Sequence, residues 1–148
     1  MKPRINLLAV FVAALVHFGL GAAWFTAFAK PWIAGTGMTE EQVRAASQNM
    51  SPAPYFIAFL CNLVIAYAIA WVLTQMREQN ALRGIAVGAV LGFVAAAAMV
   101  TEHAFELRPS AFKLIAAGYP LVGSMIMGAV VGAWRGKATA EKAGRAAA

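Results

Sequence analysis

Four long apolar runs dominate the chain, and short polar stretches separate them. The runs cover residues 5–28, 55–76, 84–101 and 114–134, and none of them contains a charged residue. A helix needs about 20 apolar residues to cross the ~30 Å hydrocarbon core of a bilayer. The pattern therefore predicts an all-α membrane protein. We expect a compact bundle of four transmembrane helices in one domain at 1–134, followed by a basic tail at 135–148.

The connection between the first two runs is the longest one and has helix signals of its own. Thr39 and Gln42 fit a capping box, in which each side chain bonds the backbone N–H of the other residue. Glu40 and Glu41 fall in the first turn, where the helix dipole favours negative charge. We expect a short helix outside the membrane, from Glu40 to about Asn49. A connector on the membrane surface is the simpler interpretation, and a lid over the bundle is the alternative.

The composition excludes a water-soluble globule and a disulfide scaffold. Apolar residues make up 61% of the chain and charged residues 12%, whereas soluble domains carry about 25% charged residues. Cys61 is the single cysteine and lies within the second run, so the chain forms no internal disulfide. The bilayer is therefore the first partner that the sequence predicts.

The distribution of charge predicts the orientation. Four spans put both chain ends on one side, which holds eight of the 12 Lys and Arg residues and a net charge of +6. The opposite side holds four Lys and Arg residues, balanced by four Glu. Because cytoplasmic loops carry the excess of Lys and Arg, we expect both ends in the cytoplasm of a bacterial inner membrane. This topology explains the positive charge without a nucleic-acid partner.

Aromatic residues near the ends of the runs fit two interfacial belts. Trp and Tyr are enriched where the hydrocarbon meets the headgroups. The inner belt would contain Trp71 and Trp134, and the outer belt Trp24, Trp32, Tyr55 and Phe112.

Small residues recur every four positions along the last two runs. Such stripes let the backbones of two helices approach closely, which is how helices associate in lipid. We expect helix packing along these stripes, either within the bundle or between copies of the chain. The third run carries Gly84, Gly88, Gly92 and Ala96, and the fourth carries Ser124, Gly128 and Gly132.

Two polar side chains lie deep within the first two runs. His17 is close to the middle of its run, and Asn62 is within about 5 Å of that depth at 1.5 Å per residue. Polar groups at this depth usually face the bundle interior and find a partner. A hydrogen bond between His17 and Asn62 is the simpler interpretation. The alternative makes His17 a proton-accepting or ligand-binding group, because its reference pKa is near 6.5.

The remaining polar residues form no recognisable catalytic, metal or nucleotide motif. His103 falls at the outer boundary, about 15 Å in depth from His17, so the two histidines cannot share a metal. No HExxH motif and no Cys/His cluster occurs in the sequence, so we expect neither a metal nor a cofactor. Glu102, Glu106 and Arg108 lie close together as a solvated outer face or, alternatively, a site for a cation or headgroup.

Several short motifs together resemble a known family. They are Asn6 at the start of the first run, Gly21-x-x-Trp24-Phe25-Thr26-x-Phe28-x-Lys30-x-Trp32 at its end, Arg108-Pro109, Leu114-Ile115-x-x-Gly118-Tyr119, and Ile126-Met127-Gly128-Ala129 through Trp134. In their order they resemble the bacterial membrane-protein family of domain of unknown function 1761. That family usually has Tyr where this chain has Phe25.

The resemblance implies a small four-span membrane protein and supplies no reaction. It directs attention to Trp24, Lys30, Trp32, Arg108 and Tyr119, which we expect at or near the outer face. Lys30 and Arg108 beside a polar outer mouth would suit an anionic group, such as a lipid headgroup or a carboxylate.

These observations leave three functions open. The first is a self-associating bundle that binds or transports a small ligand or lipid through polar groups at His17 and Asn62. The second is a membrane-embedded enzyme on an apolar substrate, with Lys30, His103, Arg108 and Tyr119 as its polar groups. The third is a structural or accessory subunit that packs through the glycine stripe of the third run.

Overall fold

A computed structural model describes residues 5–76 and 79–134, and each regular element in that part of the chain is an α-helix. The predicted basic tail at 135–148 lies outside the described residues. Four of the helices are long and apolar enough to cross a membrane, which confirms the predicted fold class. The helices are α1 (Leu7–Ala27), α2 (Ala29–Thr36), α3 (Glu40–Gln48), α4 (Ala53–Gln75), α5 (Ala81–Phe105) and α6 (Ser110–Ala133), with α1, α4, α5 and α6 as the long ones.

Local capping sets the ends of the long helices. The Asn6 side chain accepts hydrogen bonds from the first N–H groups of α1, and Asn80 does the same for α5. Pro54 lies in the first turn of α4, where a missing N–H costs nothing. The α5 helix continues past the predicted end at residue 101 to Phe105, and its last turn places Glu102 and His103 at exposed and half-buried positions.

The predicted short helix is present as α3. Its Thr39 side chain accepts a hydrogen bond from the Gln42 N–H, and the Gln42 side chain accepts one from the Thr39 N–H, which completes the capping box. No residue of α3 is buried.

The sequence pattern did not predict α2. This helix follows α1 almost without interruption, and Phe28 is the only residue between them. Pro31 explains the break, because its ring has no N–H and clashes with the carbonyl four residues earlier, that of Ala27. Gly37 ends α2 in the left-handed region, at φ +77°.

The α6 helix is the centre of the bundle. Half of its most apolar stretch is buried, against 22–28% in the other three long helices. It packs against α1, α2, α4 and α5, and α5 makes most of its contacts with α6. An apolar core lies between α1, α4 and α6, with Ile69, Leu73 and Met127 as its largest fully buried side chains.

Large apolar side chains cover the outside of the bundle. Phe56, Val64, Val90 and Phe93 are each about two-thirds exposed. Soluble monomers rarely expose contiguous apolar patches larger than a few hundred Å². This surface is the one that a bundle in lipid presents.

The glycine stripe of α5 packs against α6 of the same chain. A methyl group added at Gly84 would overlap the Gly128 carbonyl, and one added at Gly88 would overlap the Ser124 carbonyl. Gly132 lies against Asn80 and Gly84 at the end of this contact. Because α6 already covers the stripe, it is not a free surface for another subunit, which corrects the third hypothesis on this point.

Candidate functional site

The depth argument predicted that His17 and Asn62 meet, and they do. His17 of α1 is 2% exposed and Asn62 of α4 is 6% exposed. The His17 Nδ1 and the Asn62 Oδ1 are 2.9 Å apart. A carbonyl oxygen only accepts, so Nδ1 carries the proton and donates it to this bond. Neutral His17 then has a bare lone pair on Nε2.

Tyr119 of α6 completes this group. Its ring stacks on the His17 imidazole, with centroids 4.6 Å apart and planes 7° from parallel. Its hydroxyl donates to the His17 backbone carbonyl at 3.2 Å. The ring fits because Gly21 has no side chain, since a Cβ there would lie 2.9 Å from the hydroxyl. Tyr119 therefore faces the bundle interior beside His17.

The second ring nitrogen of His17 has no hydrogen-bond partner. Nε2 is buried, and no donor or acceptor in the described part of the chain reaches it. The edge of the imidazole lies against Gly123 of α6, where an added methyl group would overlap Nε2 and Cδ2. Most buried polar atoms are paired, so an unpaired one calls for an explanation.

A proline interrupts α6 next to this contact. Pro120 lies inside the helix, three residues before Gly123. It has no N–H, so the carbonyl of Ala116 loses its usual helical donor, and such a position is where helices bend. At the same turn, α5 comes close to α6 because Gly92 has no side chain. A Cβ there would lie 2.9 Å from the Pro120 carbonyl.

A cluster of aromatic rings lies above His17, at the junction of α1, α2 and α6. Phe25 contacts both Tyr119 and Trp32, with centroids 5.4 and 4.9 Å apart. Trp32 stacks on Phe112 at 4.1 Å, and Phe112 is 5% exposed. The Trp24 indole N–H donates to the Ile115 carbonyl at 3.1 Å.

This arrangement corrects the expected outer belt. Trp24 and Trp32 are only half exposed and Phe112 is buried, so these rings fill the space between helices and do not form a lipid-facing belt. Tyr55, Trp71 and Trp134, the other expected belt residues, are exposed at 57%, 53% and 40%.

Arg108 fastens α2 to the α5–α6 connection. Its NH1 group donates to the carbonyls of Gly35 and Thr36, at 3.0 and 2.9 Å, which are among the last carbonyls of α2. Its Nε donates to Glu106 at 3.1 Å, and the guanidinium lies over the Phe112 ring. Arg108 thus serves the fold in this arrangement, and the expected anion site stays a prediction.

Glu106 is shared by two side chains. His103 Nδ1 lies 3.1 Å from the carboxylate oxygen that Arg108 also contacts. The hydrogen bond from His103, followed by that from Arg108, holds the pKa of Glu106 below its ordinary value of 4.5. The neighbouring Leu107 is in the left-handed region, at φ +56°, and its conformation directs the chain from α5 into Arg108.

The structure divides the predicted site residues among three places. His17, Asn62 and Tyr119 form one group inside the bundle, whereas Trp24, Trp32, His103 and Arg108 lie at or beside the junction of α1, α2 and α6. Lys30 is exposed, and no hydrogen bond or ion pair of the described residues involves it. The four residues considered for an enzyme are therefore not brought into one site. No group of three His, Cys, Asp or Glu residues that could hold a metal occurs within 5–76 and 79–134.

The comparison with protein families agrees with the motifs. The model of the family described as protein of unknown function DUF1761 matches residues 8–132. The chain belongs to this family. Neither a curated protein nor a solved structure gives a significant match. The motif residues Gly21, Trp24, Gly118 and Tyr119 meet where α1 packs on α6.

Proposed function

We propose that this member of the DUF1761 family is a multi-pass protein of the bacterial inner membrane that binds a small ligand in its interior. His17 Nε2 is the recognising atom, and a proton is the simplest ligand. The observation that carries the proposal is the buried lone pair on Nε2 that no group of the described chain satisfies. An ionisable side chain within a membrane is a functional hypothesis by default.

The closed arrangement disfavours a proton on Nε2. Protonation would turn Nε2 into a donor, and the group that it faces is the Gly123 backbone, which offers no side-chain acceptor. Asn62 from α4 is neutral, and among residues 5–76 and 79–134 Tyr119 from α6 is the only titratable group in contact with His17. No carboxylate among the described neighbours would stabilise a positive charge.

Ligand binding therefore requires α1 and α6 to separate at Gly123. A ligand that binds only the separated form shifts the population towards it by its binding free energy. Pro120, three residues from the contact, weakens α6 where this bend is needed. We infer a bundle that is closed at rest and opens at His17 when the ligand binds.

Transport is a further step within this proposal. A path across the bilayer would have to pass His17, Asn62 and Tyr119, which are in direct contact in the closed form. One bundle of four spans offers little material for two gates, so a second copy of the chain would supply the missing wall. Self-association is thus an expectation of the transport form of the proposal.

Nitrogen NMR of the imidazole tests the proposal directly. The sequence has two histidines, so in the His103→Gln variant the imidazole signals come from His17 alone. In lipid nanodiscs we expect the Nδ1–H tautomer at high pH. As the pH falls from ~8 to ~5, we expect proton uptake to coincide with a shift of the Trp24 indole signal, because Nε2 must leave the Gly123 contact between α1 and α6 to accept a proton.

The opposite result identifies a purely structural histidine. If His17 stays neutral over this range and no Trp24 shift occurs, the hydrogen bond to Asn62 is its whole role and the proposal is wrong. Tyr119→Phe serves as the control, since it keeps the stacked ring and removes the hydroxyl. It should leave the starting tautomer unchanged.

A further inference from the structure

The α3 helix separates charge from apolar side chains although it packs on no core. At 100° per residue, Glu40, Glu41, Arg44 and Gln48 fall on one side of the helix. Val43 and Ala46 fall on the opposite side, and Met50 follows two residues after the end of α3. No residue of α3 is buried, and Met38 and Met50 beside its two ends are 43% and 48% exposed. Ala46 is exposed and Val43 half-buried, so no helix of the described chain covers the apolar side.

Short connections hold α3 next to the membrane boundary. Three residues join the end of α2 to the start of α3, and four join α3 to α4. Extended chain spans at most about 3.5 Å per residue, so the two ends of α3 stay within roughly 14 Å of α2 and 18 Å of α4. The lipid-facing surface of α4 begins immediately afterwards, with Tyr55, Phe56 and Ile57 exposed at 57%, 65% and 58%.

We propose that α3 lies on the outer surface of the same membrane, parallel to its plane, with Val43, Ala46 and Met50 inserted among the lipids. Exposed Met50 lies in the connection between α3 and the exposed apolar start of α4. A lipid surface is the fitting partner because three small to medium side chains are too few for a stable protein interface, which buries about 800 Å² per partner. The charged side, with two acidic residues and one basic residue, faces water.

The capping box keeps the two sides in register. Thr39 and Gln42 fix the first turn of the helix. Val43 and Ala46 lie on the same side because they are three residues apart in this helix. Helices of this kind bind at the boundary between headgroups and acyl chains. The inference is independent of His17, and its failure would leave the proposed function untouched.

Nitroxide labels on the two sides of α3 test the inference. Cys61 is the single cysteine and is exposed, so Cys61→Ala provides the background for labelling. Val43→Cys and Ala46→Cys report the apolar side, and Glu41→Cys and Gln48→Cys are the matched controls on the same helix. In nanodiscs of zwitterionic phospholipid, power saturation measures the access of oxygen, which concentrates in lipid, and of a water-soluble nickel complex.

The expected result is an oxygen-to-nickel ratio several-fold higher at Val43 and Ala46 than at Glu41 and Gln48. Equal ratios around the helix would mean that α3 is solvated on every side and would overturn the inference. Loss of access to both reagents at Val43 would also overturn it, because a protein would then cover this side. All four positions are exposed or half-exposed, so the labels leave the bundle folded.

Discussion

Glycine has different roles on the two sides of α6. Towards α5, Gly84 and Gly88 let one backbone meet the other, and the groups in contact are the carbonyls of Gly128 and Ser124. Towards α1, glycine makes room for rings: Gly21 accommodates Tyr119, and Gly123 accommodates the edge of His17. Along its glycine stripe, α5 contacts backbone atoms of α6, and a ring contact between these helices, His103 on Phe112, lies beyond the stripe. The α1 side contains the buried polar group. Small residues at four-residue spacing thus favour close packing without specifying what fills the contact.

The difference determines how each contact responds to added volume. A backbone carbonyl within a helix cannot move away without breaking the helix, so the α5–α6 contact should be rigid. A ring can rotate or be truncated, so the α1–α6 contact should be adjustable. The candidate site lies on the adjustable side, where movement can change the surroundings of His17.

The largest effect is expected for Gly88→Leu. Four added carbon atoms would overlap the Ser124 carbonyl and Met125, so α5 and α6 must separate. We expect a loss of more than about 3 kcal/mol of unfolding free energy, above the usual cost of overpacking. Unfolding in mixed detergent micelles measures it. The matched control is Gly19→Leu, because nothing lies within 4 Å of a Cβ there and the position is exposed.

If Gly88→Leu and Gly19→Leu were equally stable, the backbone contact between α5 and α6 would not exist as described. The comparison between the two sides of α6 would then be wrong for the side that faces α5.

A smaller and repairable effect is expected for Gly123→Ala. Its methyl group would overlap the His17 ring, which should lower the unfolding free energy by about 1–3 kcal/mol. Adding His17→Ala removes the ring, so the double variant should be more stable than the sum of the two single effects predicts. The same unfolding assay on all four proteins gives this coupling, expected at about 0.5–3 kcal/mol.

The corresponding pair across α5 and α6 is the control. Gly88→Ala also creates an overlap, but its partner is the backbone carbonyl of Ser124, which Ser124→Ala retains. We expect no repair in that pair. Repair there, or its absence at Gly123, would contradict the distinction between backbone and ring contacts.

The hydrogen bond inside the candidate site should have a measurable but modest effect. His17→Phe keeps a ring against Tyr119, and Asn62→Leu removes the partner of Nδ1. A double-mutant cycle should give a coupling near 0.6 kcal/mol and at most ~1.7 kcal/mol, the range of such bonds in membranes. A coupling of zero would show that the 2.9 Å contact does not contribute to stability in lipid.

Depth along a helix was predictable from the sequence, but direction around it was only partly so. The position of His17 and Asn62 within their apolar runs predicted their contact, because a straight helix converts residue number into depth. Tyr119 has as clear a depth, but its direction depends on the space that Gly21 leaves on another helix. That space is a property of the packed bundle.

Short elements at the membrane boundary were the least predictable. The capping box predicted α3. The α2 helix has only eight residues, with Pro31 near its start and Gly35 near its end, and this pattern is typical of a loop. Its stability comes from outside the helix, from Arg108 on its last carbonyls and from Trp32 on Phe112. Interactions with distant residues of this kind have no signature in the local sequence.

The smallest effect concerns pH, which should loosen α2 but leave the contact between α5 and α6 unchanged. Ionised Glu106 holds Arg108, which in turn holds the end of α2 over the ring cluster. Because its folded-state pKa lies below the ordinary value of 4.5, ionised Glu106 contributes stability above that value and loses it as the pH falls through the folded pKa. Acidification below about 4.5 should therefore loosen α2, seen as a change in Trp32 fluorescence, and leave the α5–α6 contact unchanged.

Glu106→Gln removes the titrating group and should flatten this profile in a background where the other three tryptophans are replaced by Phe. The effect should be small because Glu106 is exposed and water screens its interactions. An unchanged profile in Glu106→Gln would assign any pH response to another group, and Arg108 would then hold α2 through the Gly35 and Thr36 carbonyls without help from Glu106.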